Sequence, residues 1–102
     1  MEAVIANRPV ELNEEGYFLK PEQWDREIAH AIAEEEEISL TDKHFEVIDY
    51  IRDQYDKDVA LTIRRIGKSG VVNIKEFYAL FPDGPLKKAS RIAGIPKPAS
   101  CI

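Results

Sequence analysis

Apolar residues come first in short runs and then at helical spacing. Val4–Ile5, Val10–Leu12 and Tyr17–Leu19 are brief apolar stretches. Asn7-Arg8-Pro9 and Asn13-Glu14-Glu15-Gly16 separate them, and both separators have turn chemistry. The pattern predicts a small N-terminal antiparallel β-meander. So few strands are marginal alone, so helices must cover it. From Pro21 the period changes. Trp24, Ile28, Ala31 and Ile32 follow i, i+4, i+7, i+8 along one face of a first helix, which Pro21 opens at little cost. Glu34 to Glu37 lie at its far end, where acidic side chains oppose the helix dipole, so the helix is expected to stop there and lead into a solvated loop.

Four more helices follow. Thr41 is a plausible N-cap for a second helix running to about Asp56, with His44, Ile48, Ile51 and Tyr55 on one face. A third is expected over 59–66, with Val59, Ile63 and Ile66 as its apolar side. Asn73 caps a fourth, Glu76 completes a capping-box pattern, and Ile74, Phe77, Tyr78 and Phe81 form a stripe read as core. Pro82-Asp83-Gly84-Pro85 stops it. Pro85 starts the fifth helix, and Gly94 ends it as the residue free to turn left-handed. The predicted fold is α+β: a β-meander on about five helices with a helix-turn-helix-like core, one domain over 1–94, and a mobile C-terminal arm over 95–102.

Composition narrows the function classes. The 102 residues carry a formal charge of −5, with 44% apolar and 32% charged residues, ordinary for one globular domain. No apolar run approaches the ~18 residues of a membrane span. The first residues lack the basic and apolar regions of a secretory signal. The single cysteine suits a reducing compartment, so the expected location is the cytoplasm. The acidic balance argues against general affinity for nucleic acid or anionic membranes.

Candidate chemistry is sparse in the body. His30 and His44 lie on different helices without neighbouring ligands, so His44 reads as a packed, hydrogen-bonded histidine and no metal is implied. Gly67-Lys68-Ser69 has the look of a phosphate loop, but position 62 is threonine and the preceding pattern is helical. Helices two to four invite a DNA-binding reading through Arg64, Arg65 and Lys68. Few residues there suit base reading, and the net charge opposes it.

The tail carries the specific signal. Residues 91–102 read R-I-A-G-I-P-K-P-A-S-C-I. This resembles the end of the TusE/DsrC family of sulfur-relay proteins, the gamma-subunit family of dissimilatory sulfite reductase, in which an A-G-[LI]-P-K-P-x-x-C-[IV] terminus carries sulfur on the penultimate cysteine. E-E-G-Y-F-L at 14–19, E-I-S-L-T-D-K-H-F-E-V-I at 37–48 and F-Y-A-L-F-P-D-G-P at 77–85 fit the same family in the same order. The resemblance implies a sulfur carrier with a persulfide on Cys101 and no cofactor. Gly94, Pro96, Lys97 and Pro98 would form the arm and its hinge, and Arg64 and Arg91 are candidate contacts for a partner or the thiolate. A free cysteine has a pKa of ~8.5. Lys97 and Arg91 would lower it on approach, and the terminal carboxylate would raise it. Eight extended residues from Ile95 reach at most ~26 Å, and the two prolines stiffen them.

Two departures matter. Two-cysteine members of the family carry their second cysteine eleven positions before the last; here that position is Ser90. The resemblance therefore implies the one-cysteine, TusE-like branch. Its members take sulfur from an upstream relay complex and pass it toward the enzyme that thiolates the wobble uridine of certain transfer RNAs. The segment 67–73 is also shorter than the corresponding family region. A DsrC-like partner of dissimilatory sulfite reductase or of other sulfur-metabolism enzymes stays open, as does a non-catalytic regulatory or DNA-binding paralogue.

Overall fold

A computed structural model describes residues 1–99. Strands β1 (Glu2–Ile5) and β2 (Arg8–Glu11) form an antiparallel hairpin with Ala3 opposite Val10. Ala6 and Asn7 at its tip take φ of 51° and 64°, the left-handed pair that matches the twist of a two-residue hairpin. The expected third strand is reduced to a single bridge, Leu12 to Phe18. Tyr17 and Phe18 are both fully buried, and a pleated strand would turn one of two neighbours outward. Asn13 organises this corner, its Oδ1 accepting from the Glu15 and Tyr17 amides.

The first helix begins later than the periodicity predicts. Pro21–Gln23 is one 3-10 turn, and Trp24 is extended. Asp25 accepts from the Ile28 amide and caps α1 (Arg26–Glu35). Trp24 is therefore off the helix whose stripe it was expected to head. The acidic end behaves as expected: α1 stops at Glu35, and Glu37 turns left-handed at φ 59°.

Helix α2 (Asp42–Asp56) starts at Thr41 in a capping box whose third residue is His44. The Thr41 amide donates to His44 Nδ1 at 3.1 Å, so Nε2 carries the proton and donates to the Leu80 carbonyl at 2.9 Å. The ring packs edge-on to Phe81. His44 is thus a satisfied core histidine.

Helix α3 spans only Ile63–Gly67, capped by Thr62 on the Arg65 amide. The expected start at Val59 is displaced because the Thr62 hydroxyl supplies the cap, leaving buried Leu61 in the link before it. Helix α4 (Ile74–Leu80) keeps its Asn73–Glu76 capping box. Its apolar stripe divides: Phe77 and Phe81 are fully buried, whereas Ile74 and Tyr78 are 43% and 47% exposed. Helix α5 (Pro85–Ile92) packs against α1, α2 and α4. The core lies between these helices, under Val10 and Phe18 of the N-terminal corner. The result is an α+β fold, a two-stranded antiparallel sheet with five α-helices among the described residues. Among the described residues no helix is long and apolar enough to cross a membrane.

Candidate functional site

The end of α5 and the start of the arm are built as one unit. The Gly94 amide donates to the Arg91 carbonyl and the Ile95 amide to the Ser90 carbonyl, both at 3.2 Å. This pair of bonds is a Schellman ending, with Gly94 as the left-handed residue at φ 69° and Ile95 as its buried apolar partner. Trp24 lies directly on Gly94; a Cβ there would sit 2.2 Å from Trp24 Cδ1. The indole Nε1 donates to the Ile92 carbonyl at 2.7 Å.

Arg52 of α2 completes the clamp. Its guanidinium donates to the carbonyls of Ala93 at 2.6 Å, Gly94 at 3.4 Å and Pro21 at 3.1 Å. It also stacks on the Trp24 ring, 4.2 Å from the centroid. Burial draws its pKa below the ordinary arginine value, while Asp56 and Asp49 push it back up. Five backbone or ring groups thus converge where α5 hands over to the arm, and the last carbonyls of α5, otherwise orphaned, find donors.

Beyond the clamp the chain follows the body as far as Ala99. Ile95 and Pro98 are buried, and Lys97 Nζ donates to Glu15 Oε1 at 2.7 Å. That hydrogen bond holds the Glu15 carboxyl below its ordinary value against an opposing effect of burial, with the charges of Lys97 and Lys87 adding to it. An apolar groove of about 390 Å³ runs between the arm and the α2–α3 link, lined by Tyr55, Val59, Leu61, Ile95, Pro96 and Pro98. Cys101, the expected sulfur-carrying residue, lies outside the described residues.

The two arginines singled out from sequence lie in different settings. Arg91 is committed to Glu36, at 2.5 Å, beside Lys88, and its Nε covers Gly16. Arg64 lines a separate groove with Tyr50, Thr62, Arg65, Lys68 and Ser69. Ser90, which stands where a second cysteine would be, is fully buried, and its hydroxyl has no hydrogen-bond partner among the described residues. Its carbonyl holds Ile95, which puts position 90 at the root of the arm. The residue sequence reasoning passed over is Arg52. The signal was present: a cation four residues after Ile48 and three before Tyr55, inside an otherwise apolar face.

Residues 4–102 match the family model described as DsrC like protein. The chain belongs to the DsrC-like family. This DsrC-like chain is 41% identical over 101 residues to the sulfurtransferase TusE homolog of Haemophilus influenzae, covering 91% of this chain and 93% of that one. It is 37% identical over 107 residues to the sulfurtransferase TusE of Escherichia coli K12, covering 97% and 98%. Its fold superimposes on the oxidized gamma-subunit of dissimilatory sulfite reductase (DsrC) from Archaeoglobus fulgidus with a TM-score of 0.83, at 36% identity and full coverage of both chains. The crystal structure of DsrI gives 0.86 at 31% identity, again with full coverage. The 107 aligned positions exceed the 102 residues of this DsrC-like chain, so the Escherichia coli relative carries residues that this one lacks.

Proposed function

We propose that this chain is a sulfur carrier of a relay, holding a persulfide on Cys101 and delivering it to a partner protein. The observation that carries the reading is the position of the chain's single cysteine. It is the penultimate residue, inside the family match, of a chain whose relatives are named sulfurtransferases. In the loading step the Cys101 thiolate attacks the outer sulfur of a donor persulfide. The donor S–S bond breaks, the donor thiolate leaves, and a new S–S bond forms on Cys101. The exchange is redox-neutral and needs no cofactor; its rate follows the thiolate fraction of Cys101.

The arm geometry supports this reading. The clamp of Trp24, Arg52 and Gly94 gives the arm a fixed root, and Pro96 and Pro98 keep it extended, so little chain entropy is lost when it enters a partner. Lys97 on Glu15 is a tie weak enough to release, because exposed ion pairs contribute little. The Arg91 guanidinium is engaged by Glu36, which leaves Lys97 and a partner's own pocket as sources of positive charge for the thiolate.

Ser90 favours the TusE-like assignment, with an upstream sulfur-donating complex and a downstream enzyme that thiolates transfer RNA. A serine cannot close the internal bridge of the two-cysteine proteins. The likeness to the gamma-subunit of Archaeoglobus fulgidus keeps a second reading in play, a partner of dissimilatory sulfite reductase. Regulatory DNA binding is disfavoured by the five-residue α3, too short to lie along a groove.

Intact mass spectrometry after incubation with a low-molecular-weight persulfide donor tests the proposal. One sulfur should add to the wild-type protein and none to Cys101→Ser. Stable sulfur addition to Cys101→Ser would overturn the assignment.

A further inference from the structure

The positive charges of this acidic chain are unevenly used. Among the described residues seven of the lysines and arginines enter ion pairs, such as Lys20 with Glu11 and Lys57 with Asp53. Arg52 holds backbone carbonyls, and Lys87 on α5 stands apart from the others with no ion pair among the described residues. The remainder, Lys43, Arg64, Arg65, Lys68 and Lys75, have no ion pair among the described residues. All belong to the first turn of α2 or to the α3–α4 unit.

Two neighbouring grooves gather four of these cations. Arg64, Arg65 and Lys68 line one of about 360 Å³, together with Tyr50. Lys43 and Lys68 line the next, of about 470 Å³. The sole carboxylate lining either groove is Glu76, and it already caps the Asn73 amide. In a chain with 19 acidic and 14 basic residues, such segregation concentrates unpaired positive charge in these two grooves. Exposed apolar surface borders the same corner. Ile74 lies over Gly67, where a Cβ would meet its Cγ1 at 2.2 Å, and Tyr78 follows one turn later on the same face of α4. Leu61 lines the arm groove and Thr62 the basic groove, so the two adjoin in the chain.

We propose that this α3–α4 corner is a docking surface for an acidic segment of a partner protein. The partner's carboxylates sit on Arg64, Arg65 and Lys68, and an apolar side chain rests on Ile74 and Tyr78. Nucleic acid fits less well, because the exposed isoleucine beside these cations offers a phosphate backbone nothing. A protein interface, by contrast, combines an apolar centre with a charged rim. A partner held here lies next to the arm groove, which deepens the carrier reading, although the surface itself does not depend on Cys101.

The test is an amide NMR titration of full-length Cys101→Ser protein, so that its outcome is separate from sulfur carriage. The probe is a synthetic peptide with glutamate pairs flanking Leu-Phe. Shifts should concentrate on residues 62–78. Arg64→Glu with Lys68→Glu should weaken binding about tenfold, from two lost charge contacts. Ile74→Ser with Tyr78→Ser should weaken it several-fold without altering the circular dichroism. Shifts spread over the whole surface, or unchanged by charge reversal, overturn the proposal. So does an RNA or DNA duplex that binds the same residues more tightly than the peptide, or inorganic phosphate that reproduces the shifts.

Discussion

Gly94 and Trp24 are packed so closely that no side chain fits between them. The indole covers the Gly94 Cα, and the glycine backbone is left-handed at φ 69°. Gly94→Ala therefore meets two costs, a strained backbone of ~1–2 kcal/mol and displacement of Trp24, of similar size. The melting temperature should fall by about 10 °C or more, on a scale of roughly 4–8 °C per kcal/mol for a domain near this size. A change under a few degrees would mean that Trp24 does not occupy this position in solution.

Arg52→Lys tests the other half of the clamp. A lysine keeps the charge but cannot present a planar fork to the carbonyls of Pro21, Ala93 and Gly94. The expected loss is about 1–2 kcal/mol in urea unfolding. Hydrogen exchange at the Gly94 and Ile95 amides should accelerate more than exchange in the centre of α2. Equal acceleration everywhere would mean that Arg52 supports global stability only.

The Lys97–Glu15 tie should depend on pH. Its hydrogen bond puts the folded Glu15 pKa below the unfolded value. The tie therefore contributes fully above the unfolded pKa and is lost as pH falls through the folded one, which lies below the ordinary glutamate value. In a carbon-detected carboxyl titration, Lys97→Ala should raise the Glu15 midpoint toward its ordinary value. An unmoved midpoint would show that the arm does not rest on Glu15 in solution.

Ser90→Cys probes the reach of the arm. Ser90 is buried at the arm's root, and its unpartnered hydroxyl gains nothing by being polar, so the thiol should leave stability unchanged or slightly higher. A disulfide with Cys101 needs the Cα atoms within roughly 7 Å, and the buried root must open to expose the thiol at position 90. Dilute protein under mild oxidation should slowly yield a monomer about two mass units lighter, without free thiol. Dimers alone would mean that the arm cannot fold back in this chain.

Local chemistry made much of the fold legible in the sequence. The N-caps at Thr41 and Asn73 and the left-handed end at Gly94 are interactions across three or four residues, and each stands where its residue type places it. The tail motif, with the three blocks at 14–19, 37–48 and 77–85, likewise pointed to the family. The third strand failed because Tyr17 and Phe18 are both drawn inward, a choice made by the core and not by alternation.

The arm's root was decided in three dimensions. Trp24 fits a helical stripe by spacing, yet its hydrogen-bond partner, Ile92, is 68 residues away. Ile74 and Tyr78 share the helical period of Phe77 and Phe81, but α4 has only one neighbour-covered side, so half the stripe faces solvent. Periodicity reports which residues share a face. Which face is covered, and that a cation within α2 should hold the end of α5, depends on how the helices dock, and so only the tertiary structure could decide it.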